Sequence, residues 1–373
     1  MNKSRRSALL AMTVAFTACG GSDGIKIGAV LPMSGNTATF GQECYNGMQL
    51  AAEEINAAAG EGPKLQLVLK DDKGDSNETA KLVEQLAVVD GVTSIVGSVA
   101  STNSIKGGKI AQELQVPMMS PASTNVDVTK GRDYVSRLCF IDPLQGSVLA
   151  RLSLEDLGKK RAMIIVDRAS DFSVGLAESF RETFNKGGGT IVGEESFTAG
   201  ESDFSALITK VVAAAPDVIF IPAYYAEIGA MLRQAGDKWN TIPVVSGDGL
   251  DSPDLFKLMG NYSGPIYMST HFAPTDTDAR VQDFVKKYTA KYGKTPGSMA
   301  ALGYDSTYFM WDAVKRAGTP DRKAIKDAIA ATKGFPAVTG TITLDGDRNA
   351  IKDVVILKMG KGEWAFHSRI PAQ

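Results

Sequence analysis

A chain of 373 residues with 44% hydrophobic content is long enough to bury two separate cores, and its length points to two domains. Its 40 Lys and Arg against 42 Asp and Glu give a net charge of -2, with basic residues spread evenly, which excludes a nucleic-acid surface. The 38 glycines fit a fold that makes many strand-loop-helix turns.

The first nineteen residues read as an export signal. Lys3, Arg5 and Arg6 precede an apolar run over 8–16, and Thr17-Ala18 lead to Cys19. The run is too short to span a bilayer as a permanent helix. A cysteine in that place, followed by a glycine-rich stretch to Gly24, resembles a bacterial lipoprotein box, with Phe16 where Leu is usual. Cys19 is therefore the candidate for lipidation, and Arg5-Arg6 also leaves a twin-arginine signal open. Residues 1–24 are set apart as export signal and tether.

From residue 25 the pattern alternates between strand and helix. Strand 26–31 is followed by a Ser, Thr and Gly rich loop and by a helix that buries Tyr45, Met48, Ala52 and Ile55 and stops near Gly60. Strand 65–69, a helix starting at Ser76, strand 93–97, a helix over 105–114 and strand 116–120 come next. Adjacent carboxylates Asp71 and Asp72 at a strand end are expected to be solvated. This βα order means a doubly wound parallel sheet. Strands 93–97 and 116–120 empty into the loops Gly97-Ser98-Val99-Ala100-Ser101-Thr102-Asn103-Ser104 and Ser120-Pro121-Ala122-Ser123-Thr124-Asn125. In an open α/β sheet, ligands bind beyond the carboxyl ends of strands, where N-H groups at helix starts favour an anion. No G-x-G-x-x-G occurs, Gly108-Lys109 is followed by Ile110, and neither loop has an arginine fork, so a carboxylate is expected there over a phosphate.

After residues 134–137 the pattern restarts, with helix 145–157, strand 162–166, helix 175–186, strand 190–194, a helix capped by Asp203, strand 218–221, helix 227–235 and strand 242–245. Three strand ends of this half carry polar or aromatic groups: 167–172, 222–225 and Gly247-Asp248-Gly249. A carboxylate flanked by glycines lets a ligand approach closely, and its charge suits an ammonium. Helices over 278–292, 298–316 and 321–331 are expected to cover the first domain after the chain crosses back. Segments 339–344 and 353–359 read as a hairpin around Asp345-Gly346-Asp347-Arg348-Asn349. That turn imitates an EF-hand start but has Ala350 where Gly is needed and Ile356 where Glu is needed.

The two loops of the first half, together with Ile27-Gly28-Ala29-Val30-Leu31-Pro32-Met33-Ser34-Gly35, Asn46-Gly47, Glu54-Ile55-Asn56, Phe140-Ile141-Asp142-Pro143-Leu144-Gln145-Gly146 and Gly303-Tyr304-Asp305, carry a resemblance. In order and spacing they look like the solute-binding proteins of branched-chain amino-acid ABC transporters, the leucine/isoleucine/valine-binding family of type I periplasmic binding proteins. The resemblance implies an α/β fold of two doubly wound parallel-sheet domains joined by a three-strand hinge, with crossings near Arg137, Thr270 and Ile351. The first domain would comprise 25–139 plus 273–350, and the second 140–272 plus 351–373. Ser101, Ala122, Ser123 and Thr124 match the positions that hold a ligand's α-carboxylate, Asp248 the acid that holds its α-ammonium, and Tyr224 the tyrosine that helps. Phe40 and Phe172 stand where many members have an aromatic hydroxyl, making the pocket more apolar.

The expected function is that of the extracytoplasmic solute-binding component of an ABC importer, which captures a small aliphatic α-amino acid between the domains. The alternatives are the same fold binding an amide or aromatic acid, or an enzyme acting on a small carboxylated metabolite. Catalysis finds little support, since His271 and His367 lie outside the strand-end loops, no G-x-S-x-G elbow occurs and no Cys/His cluster has metal spacing. No cofactor, metal or nucleic acid is expected. The expected partners are the amino acid and the permease subunits, with a monomer held in the periplasm or at the cell surface through a lipid on Cys19 alone. Export leaves Cys44 and Cys139, the minimum for one disulfide, which the resembling fold would allow; two buried free thiols are the alternative.

Overall fold

The computed structural model of the protein describes residues 24–360 and 362–372, so the export signal and Cys19 lie outside the described residues. The first elements alternate: β1 (Ile25–Leu31), α1 (Ala38–Ala58), β2 (Leu65–Asp71), α2 (Ser76–Val88), β3 (Ser94–Gly97), α3 (Ser101–Glu113), β4 (Met118–Ser120) and β5 (Val135–Arg137). They build one parallel sheet in the order β2-β1-β3-β4-β5. Every residue of β3 is buried, as expected of a central strand covered by helices on both faces.

The chain then leaves this sheet through residues 138–141 and builds a second one. Its elements are α4 (Asp142–Arg151), β6 (Arg161–Asp167), α5 (Asp171–Lys186), β7 (Thr190–Phe197), α6 (Ser205–Ala214), β8 (Val218–Phe220), α7 (Tyr225–Ala235), β9 (Val244–Ser246), α8 (Leu255–Leu258) and β10 (Ile266–Thr270). The parallel strands follow the order β7-β6-β8-β9-β10, the same winding as in the first sheet. In each sheet the winding direction reverses between the first strand and the third, which opens a crevice at the strands' carboxyl ends.

Three helices follow: α9 (Ala279–Tyr292), α10 (Ser298–Ala317) and α11 (Arg322–Ala330). They join the first half, α10 lying along α1, α9 packing against both and α11 against α10. Gly47 and Gly303 make that approach possible: a Cβ on Gly47 would stand 1.9 Å from the Ala300 carbonyl oxygen, and one on Gly303 would stand 2.1 Å from that of Cys44. Strands β11 (Phe335–Ala337), β12 (Gly340–Leu344) and β13 (Ala350–Ile351) form a small antiparallel sheet. The chain then crosses a last time, and β14 (Val354–Met359) and β15 (Trp364–Ile370) extend the second sheet antiparallel beside β10.

Two expectations are corrected. Segments 339–344 and 353–359 are not a hairpin: the turn at 345–349 closes β12 on the two-residue β13, and β14 belongs to the other sheet. Asp345 spends its oxygens inside that turn, accepting from the Asp347 and Asn349 amides at 2.9 and 2.8 Å. Asp72 is not solvated but fully buried, accepting from Ser98 Oγ at 2.7 Å and Thr79 Oγ1 at 2.9 Å. Of the two alternatives left open for Cys44 and Cys139, the structure has the second: both thiols are free and buried. Cys44 packs in the apolar core with Ile27, Met48 and Leu302, whereas Cys139 Sγ donates to the Ser123 carbonyl at 3.2 Å.

Candidate functional site

The half of the candidate site expected to take an anion is built by the first sheet's loops. The spacing of apolar residues predicts a helix from Ile105, yet α3 begins at Ser101. Its polar first turn is affordable because each group has a buried partner: Asn103 Nδ2 reaches Thr79 Oγ1 at 2.9 Å, and Ser104 Oγ reaches the Ser98 carbonyl at 2.9 Å. An earlier start leaves the N-H groups of Ser101, Thr102 and Asn103 without intrahelical acceptors, at the positive end of a thirteen-residue helix. The neighbouring loop is clamped from behind. Arg137, fully buried in β5, donates through one guanidinium nitrogen to the Ser123 and Asn125 carbonyls at 2.8 and 2.7 Å.

The half expected to take a cation comes from the second sheet. Asp248 follows β9 and is 3% exposed; Gln145 Nε2 donates to its Oδ1 at 2.7 Å, and His271 Nε2 stands 3.0 Å from its Oδ2. Gly249 beside it has no room for a side chain, since a Cβ would meet the Ala223 carbonyl oxygen at 2.5 Å and the Phe172 ring at 2.9 Å. Phe172 stacks on Tyr224 with ring centroids 5.4 Å apart, and Phe40 meets the edges of Tyr224 and Tyr225 at 6.1 and 4.9 Å.

These halves face each other across a cavity lined by Phe40, Val99, Ser101, Ala122, Phe172, Tyr224, Asp248, Gly249 and Met299. Its free volume is ≈ 10 Å³, room for about one water, so the walls must part to admit anything larger. Direct bonds hold the halves together in this closed geometry. Asn125 Nδ2 donates to the Asp171 carbonyl at 2.7 Å, the Asp171 amide donates to Thr102 Oγ1 at 3.1 Å, and Thr39 donates to Asp254.

Six of the eight residues expected in the site therefore line one cavity: Phe40, Ser101, Ala122, Phe172, Tyr224 and Asp248. Ser123 does not; its hydroxyl points into the first half, 2.7 Å from Ser104 Oγ and 3.1 Å from the Val99 carbonyl. Thr124 lies just behind the wall, its carbonyl accepting from the Asp142 amide at 2.9 Å and its buried hydroxyl unpartnered among the described residues. Asp142 is buried there too, and burial pushes its carboxyl up to about 8. His271, expected away from the strand-end loops, is the residue directly after β10 and bonds to Asp248. Val99, Met299, Gln145 and His271 are the members to which sequence reasoning gives no role at the site. Only the position of His271 at the end of an apolar strand offered a signal.

A cleft between two doubly wound domains, with a helix N-terminus on one wall and a carboxylate on the other, is the architecture of a two-domain solute receptor. The chain belongs to the periplasmic binding protein family, whose sequence profile matches residues 24–363. A Leu/Ile/Val-binding protein homolog of Brucella melitensis is 31% identical over 342 residues, covering 90% of this chain and 91% of that protein. The crystal structure of a leucine binding protein from Thermotoga maritima is 37% identical, covers 93% of this chain and 99% of the other, and superposes with a TM-score of 0.89. That of a branched-chain amino acid transporter substrate binding protein from Streptococcus pneumoniae, in complex with isoleucine, is 34% identical over the same shares, with a TM-score of 0.87. The fold is thus the type I periplasmic binding protein fold.

Proposed function

We propose that this protein is the extracytoplasmic solute-binding component of an ABC importer and captures a small aliphatic α-amino acid in the interdomain cavity. The observation that carries the reading is the pairing, across one cavity, of the α3 N-terminus at Ser101 with the Asp248 carboxylate. An α-amino acid is the smallest common solute that presents an anion to one wall and a cation to the other. Ser101 and Ala122 hold the carboxylate from the cavity wall through N-H and hydroxyl groups, joined by the unpartnered Thr124 hydroxyl behind them once the walls part, and Asp248, aided by Tyr224, holds the ammonium. Ser123 serves the loop's shape rather than the ligand. Phe40, Phe172, Val99 and Met299 give the side chain an apolar surround with no charged group.

The ligand bridges both halves, so it stabilises the closed arrangement only, and closure becomes the signal read by the permease subunits. The crossings at 138–141, 271–278 and 352–353 are the hinge, joining domains 25–139 plus 273–350 and 140–272 plus 351–373. The mature protein is a monomer, tethered outside the cytoplasm by a lipid on Cys19, and it performs no catalysis. The relatives named for leucine and isoleucine support this reading.

Titration calorimetry with leucine, isoleucine, valine, alanine, glutamate and benzoate tests it. Leucine, isoleucine and valine should bind with similar affinity, since one buried methylene is worth about 0.8 kcal/mol, or roughly fourfold. Glutamate should fail. No binding by any aliphatic amino acid, or tightest binding by glutamate or benzoate, would overturn the assignment.

A further inference from the structure

Asp248 is the one acidic residue in the cavity wall, yet neither group that bonds to its oxygens is part of that wall. Gln145 approaches from α4, and His271 from the segment leaving β10. Pinned by donors from two elements, the carboxylate has one orientation left, with its remaining lone pairs available to the cavity. The His271 ring is itself fixed, wholly buried and stacked on Phe140 with centroids 3.9 Å apart. A carboxylate accepts only, so Nε2 carries the proton in this bond, and Nδ1 has no partner among the described residues. Burial pushes the imidazolium's proton affinity down, which makes the neutral ring the resting form at neutral pH.

The charged groups around this pair are few. His271 faces Asp248 and, from the third crossing, the buried Lys352; Asp248 also has Asp142, Asp251, Cys139 and Tyr224 within electrostatic reach. Lys352 is bonded to Thr339 at 2.7 Å and does not compensate Asp248 directly. His271 is therefore the one cationisable group hydrogen-bonded to Asp248 among the described residues.

We propose that His271 and Gln145 are positioning residues that hold the Asp248 carboxylate for the ligand's ammonium, and that His271 couples capture of this cation to loss of a proton. This rests on the amino-acid reading of the cavity. A neutral His271 leaves Asp248 its full negative charge. An imidazolium at 3.0 Å would neutralise it and leave an incoming ammonium buried without a counter-charge. Ligand binding to the protonated form must then expel one proton from the imidazolium to solvent. Affinity falls as pH drops through the pKa of His271 in the unliganded protein, by at most about tenfold per pH unit for a single proton.

The test is leucine binding by calorimetry between pH 8 and 5, on the wild type, His271→Gln and His271→Leu, each first shown by circular dichroism to be folded. His271→Gln retains a donor but cannot titrate. It should be a few-fold weaker at pH 8 and should lose most of the wild-type slope. His271→Leu removes the donor and should bind about tenfold or more weakly at pH 8. Wild-type binding measured at the acidic end of the series in two buffers of different ionisation enthalpy should report more proton release than at pH 8, and His271→Gln should not. A His271→Gln profile that tracks the wild type overturns the proton coupling, and wild-type affinity in His271→Leu overturns the positioning role. Should His271→Leu fail to fold, the slope and proton release of His271→Gln decide. A wild type that binds no aliphatic amino acid at any pH overturns the reading of the cavity, and this inference with it.

Discussion

Replacing Asp248 by Asn isolates charge from shape at the centre of the site. In the folded protein the change is mild: the Asn oxygen still accepts from Gln145, and its amide faces His271 Nε2, which becomes an acceptor if the ring proton moves to Nδ1. The exchange trades two charge-assisted bonds for neutral ones but also removes a buried charge, and these effects oppose each other, so folding stability should change by only about 1 kcal/mol. For an ammonium the loss is large, because removing one partner of a desolvated charge pair costs about 2–5 kcal/mol. At about 1.4 kcal/mol per decade this is roughly thirty-fold to several thousand-fold in Kd. Calorimetry with leucine reads the affinity, and a thermal melt without ligand reads the stability. A Kd within about threefold of the wild type would refute the argument that Asp248 carries the ligand's cation.

Thiol chemistry should follow burial: mature protein, never reduced, should react at neither Cys44 nor Cys139 while folded and at both once unfolded, since burial pushes each thiol up to about 12. Finding no reactive thiol after unfolding would mean they are bridged after all. Gly303→Ala places a methyl group 2.1 Å from the Cys44 carbonyl oxygen and should destabilise by about 1–3 kcal/mol, seen as a lower urea midpoint; an unchanged midpoint would show that α1 and α10 separate freely. Burial pushes the Glu43 carboxyl up to about 7, against the opposing effect of Lys294 at 3.2 Å, so the folded protein keeps a proton that the unfolded chain releases above about 4.5. That contribution is complete below about 4.5 and lost as pH rises through 7, so the thermal midpoint should fall between pH 5 and 8 less steeply in Glu43→Gln than in the wild type. Parallel slopes would count against it.

Much of this architecture was legible because a parallel sheet is built from short apolar runs separated by amphipathic helices, and those runs stand out. The strand ends were legible for the same reason, and within them the family resemblance singled out Ser101, Ala122, Tyr224 and Asp248, which line one cavity. What escaped detection depends on long-range partners. The first turn of α3 looks like a loop, because Ser, Thr and Asn lose helix propensity to local hydrogen bonds, and only Asp72 and Thr79 some twenty to thirty residues away reverse this. The direction taken by Ser123 was invisible, since a hydroxyl has no sequence mark for facing the ligand or the interior. β15 is an edge strand of half-exposed residues with no alternation to betray it. The failed hairpin shows the limit of turn chemistry: the turn was there, but its second arm ended after two residues.

The return of the chain to its first sheet also governs the order in which the molecule can be assembled from a ribosome or a translocation pore. The first five strands emerge by residue 137, but α10, which covers α1 and shares its core, ends only at residue 317. The second sheet in turn waits for β14 and β15, which finish at residue 370. Neither half can complete its core until nearly the whole polypeptide is out, so nascent chains carry uncovered apolar surface for most of synthesis. Late folding of this kind keeps a chain threadable, and it leaves part of each core to β14, whose Val354 to Leu357 are buried.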